Sequence, residues 1–409
     1  MPLLQSIIQI KSGYTSYVDL GNELFDDGKN LRRMEMYMPI RSHRLAFQRV
    51  ARAVFPLDRR FYFLSGSYGT GKSHICLMLA NYFMHEAQSE QLDFFFSNYA
   101  QQQEDARQVL RTDEEFDEVP AAQLRNQRGD GRFLVANCRF GLGYEFEQTV
   151  LRAVEEALGR EGTGLELDTY YREAVRRLED WRQRREQTHF YDAFARELAA
   201  EGGEWDVPRL EHGLASCDAE AYRVFAQIFQ QVTDTEFTYK KDNLLDILTD
   251  LLTSKAFAGQ FRGLVILYDE FGYALDESLV RLSRLQEFAQ YCAESGNRHL
   301  PLVFIGTGHK AFKDHGLAND AVHFSTLLAR VDEIAIQTEG MEDVIAALVH
   351  QDTESELWQE QVLSHGPELS EFTKHCKRLQ LFNWLPAPKL KRKNRSRFFS
   401  LQLSRIKSA

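Results

Sequence analysis

Residues Gly66-Ser-Tyr-Gly-Thr-Gly-Lys-Ser73 match G-x-x-x-x-G-K-[ST], a spacing that wraps the phosphates of a nucleoside triphosphate. Gly66, Gly69 and Gly71 allow backbone angles and approaches that a Cβ would block. The N–H groups of the loop, through Ser67, Tyr68 and Thr70, then form an anion-binding concavity. Lys72 supplies a point charge for the β- and γ-phosphates, and the Ser73 hydroxyl is a ligand for Mg²⁺. His74 follows in a helix whose positive dipole end faces the phosphates. Phe61-Tyr-Phe-Leu64 upstream reads as a buried strand, and residues 74–83 as an apolar helix. The expected cofactors are therefore ATP and Mg²⁺.

The second half of such a site lies far downstream. Gly263-Leu-Val-Ile-Leu-Tyr268 is a continuous apolar strand closed by Asp269 and Glu270. At the C-terminal end of a parallel strand, both carboxylates would face the crevice where ligands bind. Asp269 is the expected holder of the metal shell, and Glu270 the expected base that aligns and deprotonates the attacking water. A further strand, Leu302-Val-Phe-Ile-Gly-Thr307, is followed by Gly308 and His309.

Bulk composition excludes several classes. The chain has 409 residues, 44% hydrophobic and 12% aromatic, with net charge −11; this is a globular composition, and an acidic surface does not favour nonspecific DNA binding. The cysteines (Cys76, Cys138, Cys217, Cys292 and Cys376) form no C-x-x-C, which argues against a zinc knuckle and suits a reducing cytoplasm. No apolar run of membrane-spanning length occurs, and the N-terminus does not read as a signal peptide. G-x-S-x-G and H-E-x-x-H are absent.

Outward from the motifs, residues 1–41 read as an extended lead-in. Ser42 is a candidate cap for a helix reaching about Phe55. Residues 37–43 are candidates for contacts to the adenine, with plain core packing as the alternative. Residues 42–164 form the first part of a core, with Phe94-Phe-Phe96 as an anchor, Arg132 to Cys138 as a strand, and a helix from Tyr144 to Leu158. Residues 165–258 are helical; Arg182 to Arg185 sit there on a charged stretch, a solvated face or a nucleic-acid patch. Residues 259–340 complete the core, and 341–388 read as the start of a helical lid. From Lys389 the tail is basic without an acidic residue. It is either an arm that touches phosphate backbones or the product of a truncated or frame-shifted gene.

The order of P-loop, strand, hhhhDE, polar-tipped strand, arginine and final strand resembles the AAA-type ATPase core. The resemblance implies an α/β P-loop NTPase fold: a three-layer core with a parallel sheet, a large helical insertion and a partial lid. It also implies that Thr307, or else His309, lies between the acids and the γ-phosphate. Arg330, in Leu327-Leu-Ala-Arg-Val-Asp-Glu333, would point into a neighbour's site, which implies a homo-oligomer; pairing with Asp332 or Glu333 is the alternative. Asn137, ending its strand, would hold the catalytic glutamate inactive. Together the long insertion, Gly66 to His74, and Tyr268-Asp-Glu-Phe-Gly272 resemble large P-loop ATPases of bacterial anti-phage islands, the PglY and BrxC proteins of BREX systems. Those are much longer, so this chain is expected to be an N-terminal fragment. The implied function couples ATP binding or hydrolysis to assembly of a defence complex, with other defence proteins as partners and DNA reached indirectly. A nucleotide-gated scaffold with slow hydrolysis and a DNA motor or helicase loader stand as alternatives.

Overall fold

The computed structural model describes residues 8–10, 18–37, 39–54, 59–110, 118–139, 145–200, 205–238, 243–315, 321–336 and 349–351. Its centre is a sheet of β2 (Phe61–Ser65), β3 (Leu134–Cys138), β4 (Leu264–Tyr268), β5 (Leu302–Gly308) and β6 (Asp332–Ala335), in the order β3-β4-β5-β2-β6. Every pairing is parallel. Parallel strands covered on both faces read as unbroken apolar runs, and all residues of β2 to β5 are buried.

Alternation along the strands divides the core in two. Tyr62, Leu64, Val135, Leu267 and Ile305 face the Lys72–Met84 helix, along with the Arg41–Ala51 helix and the aromatic side of the Asp93–Leu110 helix. Phe61, Phe63, Ala136, Ile266 and Phe304 face the opposite layer, which contains the Phe146–Arg160 and Leu282–Arg298 helices. The molecule is thus an α/β protein with its parallel sheet between helical layers.

Between residues 165 and 258 the described elements are all helices, and Thr169, Asp206, Asp218 and Asn243 cap four of them with side-chain oxygens. Trp181, Phe194, Phe225 and Leu248 join their apolar stripes to the same cluster as one sheet face. Arg182, Arg184 and Arg185 pair with Glu211, Asp180 and Asp192, so this stretch is a charge-paired helix surface and not an open basic patch.

Three expectations need correction. The lead-in is not extended throughout: Leu20–Glu23 and Asp27–Met36 are helices, capped by Asp19 and Asp26. The second helix buries only Asn30 and Met34, so its polar sequence masked the period. Ser42 lies inside the Arg41–Ala51 helix, whose N-cap Ile40 makes no side-chain cap bond; fixed packing of Ala46, Phe47 and Val50 substitutes for the cap. Within the segment read as the start of a lid, β7 (Val349–Gln351) is a strand, antiparallel to β1 (Ile8–Ile10). The rest of that lid reading and the basic tail lie outside the described residues.

Phe95, Phe96 and Tyr99 are buried against Phe47 and Tyr82, while Phe94 is exposed. Beside them Arg44 grips Glu118 through Nε and Nη2 at 2.7 and 2.9 Å, with both side chains almost fully buried. Removing one partner of such a pair strands a charge in the interior. Arg44→Met is expected to lower unfolding free energy by about 3–5 kcal/mol, and Arg44→Met with Glu118→Leu by much less, as measured by urea denaturation.

Candidate functional site

All five strands of the large sheet run the same way, so their C-terminal tips lie along one edge. Ser65 leads from β2 into the glycine-rich loop, Tyr268 leads from β4 to Asp269 and Glu270, and Thr307 sits near the tip of β5, between β2 and β4. The sheet therefore brings together motifs separated by about half of the chain. The Ser73 hydroxyl donates to Asp269 Oδ2 at 2.9 Å across 196 positions of sequence. Thr307 donates its hydroxyl to Asp269 Oδ1 at 2.7 Å and accepts the Glu270 N–H at 2.8 Å. Thr307 is fully buried, so it fixes the Asp269 carboxylate and the Glu270 backbone from beneath.

Glu270 has φ 59° and ψ 27°. A left-handed backbone at a residue with a Cβ costs about 1–2 kcal/mol. The bonds from Thr307 and Asp269 to its N–H hold it there. Strain of this kind collects where a side chain must be aimed.

The loop turns through Ser67 to Thr70, with Thr70 Oγ1 donating to Ser67 O at 2.9 Å. Gly69 and Gly71 have φ of 80° and 84°. At Gly66 a Cβ would lie 2.5 Å from the Ile336 carbonyl oxygen, and at Gly71 it would run into the His43 ring. No side chain caps the Lys72–Met84 helix, which leaves its first N–H groups open for an anion. Lys72 Nζ donates to the carbonyls of Gly66 and Ser67 at 2.7 and 3.0 Å. Burial lowers its pKa, opposed by Glu270 and Asp269. Tyr68 is exposed and stacks on His309, its ring within 5.8 Å of Lys72 Nζ.

His43 touches the loop from behind, and Tyr37 touches His43. His43 Nε2 lies 2.8 Å from Thr70 O, and Tyr37 OH lies 3.0 Å from His43 Nδ1. A carbonyl only accepts, so Nε2 carries the proton and Nδ1 receives the tyrosine hydroxyl. The neutral ring is thus fixed. Burial pushes the His43 pKa down to about 4 against the Thr70 bond, and burial does the same to His74. His74, expected beside the nucleotide, is buried and stacks on Tyr37.

A cavity of about 330 Å³ opens beside the acids. Ser73, Asp269 and Glu270 line it, together with Asn137, Arg139 and residues 18–22. Asn137 does not grip Glu270 here; its Nδ2 donates to Leu20 O at 3.2 Å, and its buried Oδ1 has no partner among the described residues. Asp19 and Arg139 escaped the sequence reading because neither lies in a motif; only the end of an apolar strand just before Arg139 hinted at it. Arg330 precedes β6, at the sheet edge opposite the loop, and donates to Gln290 at 3.2 Å. It cannot reach this chain's own cleft. Its alternative partners are otherwise engaged: Asp332 with Arg49, Glu333 with Ser65 and the Phe312 N–H.

The donor set fits Mg²⁺. Ser73 Oγ and Asp269 Oδ2 are 2.9 Å apart, the separation of adjacent ligands on an octahedral ion with bonds of about 2.0–2.1 Å. Mg²⁺ is commonly held by few protein oxygens plus phosphates and water. Comparison of the chain with protein families, with curated proteins and with solved structures found no match.

Two outcomes are expected. With a folded pKa near 4 and an ordinary value of 6.5, the unfolded state binds more protons at His43 between those limits. Its contribution is complete above pH 6.5 and fades as pH falls toward 4. Stability should drop by about 2 kcal/mol from this group between pH 7.5 and 5, and His43→Gln should remove that slope in urea titrations. Separately, Glu270→Gly should raise unfolding free energy by about 1 kcal/mol where Glu270→Ala does not, because only glycine relieves the left-handed strain.

Proposed function

We propose that this chain is an AAA-type P-loop ATPase that binds Mg·ATP between the 66–73 loop and the Asp269–Glu270 tip. The observation that carries the reading is the Ser73–Asp269 hydrogen bond at 2.9 Å. It makes one site from a phosphate-loop hydroxyl and a strand-end carboxylate that have no local reason to meet. In this reading the loop N–H groups and Lys72 hold the phosphates, and Ser73 and Asp269 hold the ion. Bound Mg²⁺ would neutralise charge on the β- and γ-phosphate oxygens. Glu270 orients the attacking water and takes its proton, while Thr307 fixes the Asp269 carboxylate and the Glu270 backbone. Catalysis is then mostly positioning and charge. Lys72 would exchange its carbonyl partners for phosphate oxygens on binding.

The resemblance of the motifs extends the proposal. ATP turnover would drive assembly or remodelling of a DNA-associated anti-phage complex, with other defence proteins as the direct partners. Arg330, remote from its own cleft, would serve a neighbouring copy. Among the described residues no helix is long and apolar enough to cross a membrane, in keeping with such partners.

Lys72→Ala is expected to abolish binding of a fluorescent ATP analogue. Glu270→Gln should retain binding and lower kcat by at least about 100-fold. If Glu270→Gln leaves assembly of the complex intact, the chain is a nucleotide-gated scaffold. If wild-type protein retains neither ATP nor GTP, the reading fails altogether.

A further inference from the structure

Arg139 stands just past the tip of β3. The β3–β4 register ends with Cys138 opposite Tyr268, so Arg139 and Asp269 are the first residues past the tips of two adjoining strands. Alternation along β3 puts Val135 on the face of the Lys72–Met84 helix, and stepping by two assigns Asn137 and Arg139 to that face as well. Arg139 lines the same cavity as Ser73, Asp269 and Glu270. It is exposed, and among the described residues its guanidinium has no ion-pair partner.

The charge balance of the cleft gives this placement meaning. Among the described residues, three carboxylates line the cavity, those of Asp19, Asp269 and Glu270, and Arg139 is the one cation that lines it. Lys72 and a bound Mg²⁺ would together just cancel the three carboxylates. The loop N–H groups would then be left to hold the triphosphate, and a further cation beside the acids would meet the added charge that moves onto the phosphoryl oxygens in the transition state. The planar guanidinium suits that task, since it presents a fork of donors to phosphate oxygens. Arg330 is at the opposite edge of the sheet and cannot supply it within one chain.

We infer that Arg139 is a catalytic residue acting in cis, donating to the γ-phosphoryl oxygens of ATP bound in its own chain. This rests on the nucleotide reading above. In the step concerned, the bond between the γ-phosphorus and the β–γ bridging oxygen breaks and a bond from the water oxygen forms. The proton of that water passes to Glu270, and ADP leaves with the bonding electron pair. Arg139 gains its strongest contact when the equatorial oxygens are most charged, so its effect falls on kcat and little on ground-state affinity.

The test compares wild type, Arg139→Ala and Arg139→Lys in the full chain, each first shown to melt cooperatively at a similar temperature. Arg139→Ala should lower kcat by at least about 100-fold with KM for ATP changed by less than about threefold. Arg139→Lys should recover only part of the loss. Mixing Arg139→Ala with Lys72→Ala chains should restore nothing, because each active cleft needs its own arginine. Where turnover is too slow to time, aluminium fluoride should tighten Mg·ADP binding in wild type and fail to do so in Arg139→Ala, with Mg·ADP affinity itself unchanged. Retained turnover or retained tightening in Arg139→Ala overturns the inference, and so does recovery on mixing. Wild type that binds no Mg·ADP would instead sink the nucleotide reading, so the two failures can be told apart.

Discussion

The hydrogen-bond chain from Ser73 through Asp269 and Thr307 to the Glu270 N–H organises the molecule. One link joins the helix after β2 to the tip of β4 and the other two join the tips of β4 and β5, so the chain forms only when β2, β5 and β4 lie in order and in register. A shift of one residue would turn Thr307 to the other face of the sheet and break the chain. The unbroken burial of these strands supplies that constraint, since every side chain of β2, β4 and β5 is packed. Core packing thereby sets the Asp269 carboxylate and the strained backbone of Glu270.

A second layer of support comes from behind the loop. Tyr37 orders His43, and His43 holds the Thr70 carbonyl. With Gly71 packed against the His43 ring, the loop is held by polar bonds and by a steric wall. The N-terminal helices are bound to the same frame. Asn30 bonds the Leu24 carbonyl and exchanges two hydrogen bonds with Asn81 on the helix after the loop. Asn137 bonds the Leu20 carbonyl from the tip of β3. Residues 18–22 are thus a wall of the cavity beside the acids, which gives the chain before the first central strand a direct place in the candidate site.

The helical stretch between residues 165 and 258 separates the two halves of the site in sequence without separating them in space. It leaves the sheet after the Phe146–Arg160 helix, packs on the sheet's Phe61 and Phe304 face, and returns at β4. Its length costs little beyond loop closure because its apolar stripes are buried in the same cluster as one sheet face. Phe271, next to Glu270, packs on Phe61, Phe63, Phe146 and Phe304, which ties the second acid to the same sheet face.

Residues 66–73, the apolar strands and the acid pair could be read from the chain alone, because their requirements are local. A tight turn needs glycine where a Cβ would clash, and a doubly covered strand needs an apolar run whatever its neighbours are. Strand bounds were accordingly close, whereas the Asp27–Met36 helix was missed because it buries one edge only and carries mostly charge. The third dimension decided the rest. Which loop faces which acid depends on strand order, which no short window encodes. Asp19, Arg139 and the Asn137–Leu20 bond join the cleft only through packing across more than a hundred residues, and the side chains themselves carry no mark of it. Arg330 makes the same point in reverse: its neighbours in sequence suggested partners that the sheet had already assigned to Arg49 and Ser65.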